Sequence, residues 1–498
     1  MIHRSSTPWE FFSNDGRRKP IFFAATNRLP DRGSLPKQNL MIPASVLQYL
    51  ADHEERFIDE LFEYARIPGI SAQSDHADDM RRSADWLVKR CQQAGLKAEI
   101  RKTAGYPVVL AKSPNQNAKK PTFMVYGHYD VQPPDPLDHW TSPPFEPRRV
   151  GRNVYARGIS DNKGQHLAHI NAVEAWLKTG HELPCNVNFL IEGEEEVGSK
   201  SLYSFLPKNA KELACKALVV SDTEIPSMKH PALCYSLRGM APLEIRLDGP
   251  DRDLHSGLFG GAVDNPAMVL CQMLGQLRDK RGKITIPGFY DDVVKLSAYE
   301  RKQMAKVPFN ETKFRKSVGV AALFGEATYT PDEQRAARPT FEINGLTSGY
   351  QGEGGKTIIP SWASAKITMR LVPDQDPKKI IALVKKHLKA ICPPTVKMTL
   401  TEGQGGGPYL VDPTGPLAQA CMRAAKAGFG HECALVRGGG SIPIIAAFKQ
   451  YLKADTFMLG LALPDDNAHS PDEKFSLDAY MAGMRMGAAL WPELAAVS

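Results

Sequence analysis

Five segments of this 498-residue chain carry histidines and carboxylates at spacings that could do chemistry. In Val125–Val131, His128 and Asp130 stand two apart on what reads as extended chain, so both side chains point the same way. One can bind a metal while the other orients a ligand. In Tyr155–Gly164, Asp161 stands between glycines and leads into a helix, where backbone N–H groups could satisfy its free lone pairs. Ile191–Ser199 packs Glu194, Glu195 and Glu196 directly behind an apolar run, which is electrostatically costly unless a cation or proton sits among them. Leu218–Thr223 ends in Asp222, and Pro464–Ser470 carries His469 in a polar loop.

Taken singly, each has a plainer reading. His128 and Asp130 can be a hydrogen-bonded surface pair, Asp161 a helix N-cap, Glu194–Glu196 a solvated acidic face, and Asp222 and His469 ordinary polar residues. Taken together they suit two metals. One could take His128, Asp161 and Asp222, and the second Glu196, His469 and the other oxygen of a bridging Asp161. Nitrogen and carboxylate donors without thiolates, with room for water, fit a catalytic zinc pair. Such a pair polarises a carbonyl and acidifies a bridging water. An unligated carboxylate beside it would act as general base, and Glu195 is the candidate.

The elements that must position these residues alternate. Lys97–Lys102, Pro107–Ala111, Thr122–Tyr126, Asn186–Ile191 and Ala217–Val220 read as strands. Helical spacing recurs from Ser45, a plausible N-cap, to Ala65, from Asp78 to a cap at Gly95, and over His166–Leu177. Alternation of this kind predicts an α/β sheet covered on both faces, with active-site residues at strand ends. After about residue 235 the texture changes. Strands at Leu243–Leu247, Phe341–Leu346, Ala365–Val372 and Lys397–Thr401, with helices at Ala267–Leu277 and Lys378–Lys389, predict a smaller α+β domain with an open sheet. A glycine-rich hinge at Gly403–Gly407 returns the chain to α/β texture and the Leu417–Gly428 helix. The predicted organisation is therefore a catalytic domain over 41–235 and 408–498, interrupted by an inserted domain over 236–407. Residues 1–40 have neither periodicity and read as a disordered or mis-started extension.

Composition narrows the function. Hydrophobic residues at 42% supply a large core, and 23% charged residues argue against wholesale disorder. Of the net charge of +7, +4 lies in residues 1–40, and no basic stripe interleaved with aromatics appears, so nucleic acid is not an expected partner. Eight scattered cysteines without CxxC spacing read as free thiols of a reducing compartment. No apolar run reaches the ~18–20 residues that span a bilayer, and Ile21–Ala25 is too short for a signal core. A cytoplasmic location, with no membrane partner, is expected by elimination.

From Met41 onward the ordered set of segments resembles the zinc-dependent M20 metallopeptidase family, most of all its cytosolic non-specific dipeptidase and carnosinase branch. The resemblance implies a zinc-peptidase-like catalytic domain with a central mixed sheet flanked by helices, plus an inserted lid and dimerisation domain. It implies that His128, Asp161, Glu196, Asp222 and His469 are metal ligands. Asp161 would bridge the ions, through a cis Asp161–Asn162 peptide. Asp130 would hold the His128 imidazole, and Glu195 would activate water and later protonate the leaving amine. Arg252–Gly261 resembles the family's lid segment, so His255 would reach a partner subunit's site in a homodimer and stabilise the oxyanion. Arg370, on the Ile367–Pro373 strand, would clamp the substrate carboxylate. Thr357, and Ser441 in the Arg437–Pro443 loop, would also touch substrate. Glu194 departs from the pattern, and if it faces the cavity it should raise the pKa of Glu195. The implied function is cleavage of dipeptides or short peptides with a free C-terminal carboxylate, using zinc, with manganese or cobalt also acceptable to such ligands. An N-acyl-amino-acid amidohydrolase of the same fold, and a binding protein that has lost the chemistry, are the alternatives.

Overall fold

Thr122–His128, Asn186–Glu192 and Ala217–Val220 are nearly unbroken apolar runs, the pattern of parallel strands buried on both faces. The computed structural model describes residues 42–498, and it places these three side by side and parallel, with Thr122–His128 in the middle. The readings made for residues 1–40 lie outside the described residues. Among the described residues nine strands form the large mixed sheet. Lys97–Arg101 and Val108–Lys112 extend it antiparallel on one side. Asp455–Met458 continues it parallel on the other, followed by Ala232–Leu237, which also pairs with Tyr409–Leu410 and Ala434–Gly438.

Helices cover the sheet. Gln165–Lys178 and Leu477–Ala495 are buried nearly all round. They lie against each other through a Trp176 Nε1 bond to the Ala488 carbonyl (3.1 Å) and an Asn171 bond to the Tyr480 hydroxyl (2.8 Å). Fully buried Trp491 and Leu490 on the second helix each contribute roughly 1.5–3 kcal/mol of burial. Arg148–Val150, Asn153–Tyr155 and Lys474–Ser476 form a separate, small three-stranded antiparallel sheet.

The chain leaves the large sheet after Ala232–Leu237 and enters a second one. Gly239–Asp248 and Trp362–Leu371 are its central strands, flanked by Lys397–Glu402 and Thr340–Ser348, all antiparallel. Burial alternates strictly along Gly239–Asp248, and Leu243, Ile245 and Leu247 share a core with Val269, Leu270, Ile380 and Val384 of the helices Pro266–Gly275 and Pro377–Ile391.

Two local readings are corrected, and the glycine-rich stretch gains a packing reason. The run from Ser45 to Ala65 is two helices, Ala44–Asp52 and Glu54–Ala65, broken at His53. Pro43 occupies the N-cap position, and the Ser45 hydroxyl pairs with His181 at 2.8 Å. The glycines at 403–407 run alongside the start of Gly239–Asp248. Gly406 and Met240 exchange backbone hydrogen bonds of 3.0 and 2.9 Å, and a Cβ on Gly405 would lie 2.3 Å from the Met240 carbonyl oxygen. They serve close approach of two crossing segments. The polar stretch after Pro266–Gly275 contains the helices Ala298–Met304, Glu311–Val318 and Pro331–Ala337. Capping boxes at Ser297/Glu300 and Thr330/Glu333 start the first and third.

Candidate metal centre

The large sheet brings its chemistry together at one edge. His128 is the last residue of Thr122–His128 and stands in register with Glu192, the last of Asn186–Glu192. Glu195 and Glu196 follow in a short turn, and Asp222 lies two residues past Ala217–Val220. Asp161 sits in the Ile159–Gly164 turn before the Gln165–Lys178 helix, and the Asp161–Asn162 peptide is cis. His469 comes from the loop beyond Asp455–Met458. Glycine at 127 allows the close crossing, because a Cβ there would lie 2.8 Å from Asn162 Oδ1.

All five predicted ligands converge in two groups that share Asp161. One is His128, Asp161 and Asp222, the other Asp161, Glu196 and His469, each with donor atoms within 4.8 Å of one another. His128 Nε2 is 3.1 Å from Asp161 Oδ1 and 3.5 Å from Asp222 Oδ1. His469 Nε2 is 2.9 Å from Asp161 Oδ2 and 3.3 Å from Glu196 Oε2.

The donor set fits a cation. His128 Nδ1 lies 3.0 Å from the Asp130 carbonyl oxygen, which can only accept. The neutral ring therefore keeps its lone pair on Nε2, facing two carboxylates. Acceptor facing acceptor requires a proton or a metal between them. Proton affinities say the same. Burial opposes a charge on His128, yet Asp222, Asp130 and Asp161 hold its pKa well above the usual imidazole value. Hydrogen bonds to Asp161 and Glu196 lift His469 to about 10. Burial, with the neighbouring carboxylates adding, pushes Glu196 and Asp222 up. Asp161, held by both histidines against its own burial, is depressed.

Glu195 differs from these five. Its side chain makes no hydrogen bond among the described residues. Burial pushes its pKa well up; His128 opposes this, while Asp222, Glu196 and Asp161 add to it. A carboxylate of raised basicity, with no hydrogen-bond partner among the described residues, can take a proton beside the cluster.

Residues around the cluster aim it. The Asp130 carboxylate accepts the amides of Glu195 (3.2 Å) and Glu196 (3.1 Å) and the Ser71 hydroxyl (2.7 Å). It thus ties the acidic turn to the His128 strand, while its carbonyl orients the ring. Asn162 Nδ2 donates to Asp222 Oδ1 at 2.8 Å, and Gln132 Nε2 to Glu196 Oε2 at 2.9 Å. Neither was singled out from sequence, although Asn162 stands next to Asp161. Glu194 does not face the cluster. Its two oxygens accept the amides of Tyr106 (3.0 Å) and Ser201 (2.9 Å), so the condition for a raised Glu195 through Glu194 is not met.

The other predicted residues form two separate pairs. Arg370 donates to the Ser441 hydroxyl at 2.9 Å, and Ser441 to the Arg238 carbonyl at 2.5 Å. Arg238, missed from sequence, is drawn down to about 10 by burial and by Arg370. His255 is exposed, with Nδ1 accepting the Gly257 amide at 3.0 Å, and its strand pairs with Ile358–Ile359 beside Thr357. Among the described residues none of these four side chains touches a predicted ligand.

A nitrogen–carboxylate cluster at the carboxyl ends of the parallel strands has the donor set of a metal-dependent enzyme. The chain belongs to peptidase family M20/M25/M40, whose sequence pattern matches residues 124–493, and it is a metallopeptidase, a dipeptidase by class. It is similar to the Cys-Gly metallodipeptidase of Schizosaccharomyces pombe, 31% identical over 89% of this chain and 97% of that one. The human Beta-Ala-His dipeptidase is 29% identical over 96% of this chain and 98% of its own. The crystal structure of human carnosine dipeptidase 1 superposes with a TM-score of 0.79 at 30% identity, covering 91% of this chain and 100% of that chain.

Proposed function

We propose that the protein holds two divalent metal ions, zinc in the first place, and hydrolyses the peptide bond of dipeptides or short peptides with a free C-terminal carboxylate. The observation that carries this reading is Asp161, whose two oxygens face the Nε2 atoms of His128 and His469 at 3.1 and 2.9 Å. His128 and Asp222 would hold one ion, Glu196 and His469 the other, with Asp161 shared. When bound, such ions polarise the scissile carbonyl and make water acidic enough to lose a proton near neutral pH.

Glu195 takes the proton of the attacking water and returns it to the leaving amine. Its raised basicity suits both halves of that task. Asp130 holds Glu195, Glu196 and His128 in one frame. Arg370 and Ser441, already hydrogen-bonded to each other, bind the substrate carboxylate. His255 and Thr357 project from the inserted 236–407 domain. Their exposure, and their lack of contact with the cluster within one chain, favour a homodimer in which His255 completes the partner's site and stabilises the oxyanion. The catalytic domain comprises 41–235 and 408–498. Eight free cysteines fit a reducing, cytoplasmic setting.

The relatives' names direct the substrate panel: Cys-Gly, β-Ala-His and other unblocked dipeptides, with N-acetyl and N-succinyl amino acids as contrast. Purified protein is assayed with zinc, with manganese and with EDTA. Chelator-sensitive cleavage of the free-amine dipeptides is the expected result. Cleavage confined to the acylated compounds would move the enzyme to the amidohydrolases.

A further inference from the structure

The two loops that deliver Asp161 and His469 come from distant parts of the chain, and one buried ion pair spans them. Glu473 is fully buried. One of its oxygens accepts the amides of Ser160 (2.9 Å) and Asp161 (3.1 Å). The other accepts the Gly158 amide (2.7 Å) and Arg157 Nη1 (2.8 Å). Arg157, equally buried, turns its other nitrogen to the carbonyl of Ser470, the residue after His469, at 3.2 Å. The antiparallel pairing of Lys474–Ser476 with Asn153–Tyr155 brings Glu473 to this place.

The His469 loop needs such a hold. Asn467, His469 and Asp472 have φ of 56°, 62° and 55°, a left-handed conformation sparsely populated by residues with a side chain. A conformation of that kind persists only when its surroundings over-determine it. The supports are the Arg157 bond to Ser470, the Thr141 bonds to Asp472 (2.7 and 2.9 Å), and Asp466, which takes the Ser160 hydroxyl at 3.0 Å.

We infer that Glu473 and Arg157 are positioning residues that set the distance between Asp161 and His469, and with it the affinity and geometry of the metal site these two share. The inference rests on the metal reading of Asp161 and His469. All four groups facing the Glu473 oxygens are donors, two on each oxygen. Glutamine at 473 would turn an NH2 group toward two donors in either orientation, at the same volume. Arg157→Lys keeps the charge but not the fork, so it leaves the Asp161 loop clasped and frees the Ser470 side.

The test titrates full-length metal-free wild type, Glu473→Gln and Arg157→Lys with zinc against a chelator of known affinity, and with cobalt(II) while recording its visible absorption. Thermal unfolding of each metal-free protein is measured beside it. Glu473→Gln is expected to weaken binding about 10–100-fold, the usual effect of removing a partner behind a metal ligand, and to change the cobalt spectrum. Arg157→Lys is expected to weaken one of the two ions only. Should Glu473→Gln fail to fold, Arg157→Lys decides. Folded variants with wild-type affinities and cobalt spectra would overturn the inference while leaving the metal reading intact. A wild type that takes up no metal would overturn both.

Discussion

The edge of the large sheet and the small-sheet unit carry their functional residues in opposite ways. At the sheet edge the proposed ligands lie against one another, His128 is fully buried, and Asn162 and Gln132 donate to Asp222 and Glu196. In the small-sheet unit His255 and Thr357 lie on or beside an exposed two-stranded pairing, and Arg370 reaches out to Ser441 in the loop after Ala434–Gly438. Close mutual contact is what a charged cluster needs, because each buried charge left unpaired would cost several kcal/mol. Exposure is what residues need when their partner is a substrate that comes and goes, or a second subunit. The proposed metal ligands and base thus gather at one sheet edge, while the residues proposed to meet substrate or a second subunit stand apart from it.

Substitutions can break or sharpen this contrast. Glu195→Gln should lower kcat by about 10²–10⁴, the usual worth of a general base, with metal content unchanged by elemental analysis. Loss of metal along with activity would instead make Glu195 part of the ligand set. His255→Ala should lower kcat by about 10²–10³, the cost of one oxyanion donor, again with full metal. Mixing it with Glu195→Gln should recover activity if sites are shared between subunits, and no recovery despite demonstrated subunit exchange would sink the shared site. Arg370→Ala should act mainly on KM, weakening free-carboxylate dipeptides by about 1.5–3 kcal/mol, a charge-assisted pair. C-terminally amidated analogues should be far less affected, and equal losses on both would remove Arg370 from carboxylate binding.

The smallest effect should come from Glu194→Gln. Its carboxylate clasps two backbone amides away from the cluster, so the change should cost about 1 kcal/mol of stability. The acidic limb of the pH–rate profile should superimpose on that of wild type. A shifted limb would place Glu194 in the field of Glu195 after all.

Legibility followed the same division. Thr122–His128, Asn186–Glu192 and Ala217–Val220 announce themselves because a strand covered on both faces must be apolar throughout. The three short helices between 298 and 337 were hidden, since they bury little and show no apolar stripe. Their capping boxes, Ser297/Glu300 and Thr330/Glu333, were in plain view as a signal that could have found them. The five proposed ligands, which the structure brings together, could be picked out because histidines and carboxylates behind apolar runs are expensive without a reason. Asn162, Gln132, Arg157 and Glu473 could not, because nothing in their neighbours distinguishes a residue that aims a ligand from one that faces solvent.

By itself the sequence determined which strands would be central, which residue types could bind metal, and the change of texture near 235. Those are local properties, carried by hydrophobic period and side-chain chemistry. Only the tertiary structure decided that Glu194 turns to Tyr106 and Ser201 while Glu195 turns to the cluster, that Asp161 faces two histidines, and that Glu473 closes on Asp161 from 312 residues away. Direction and distance of that kind depend on which segments pack together. A buried carboxylate goes wherever the fold has left donors unsatisfied, and no stretch of sequence lists them.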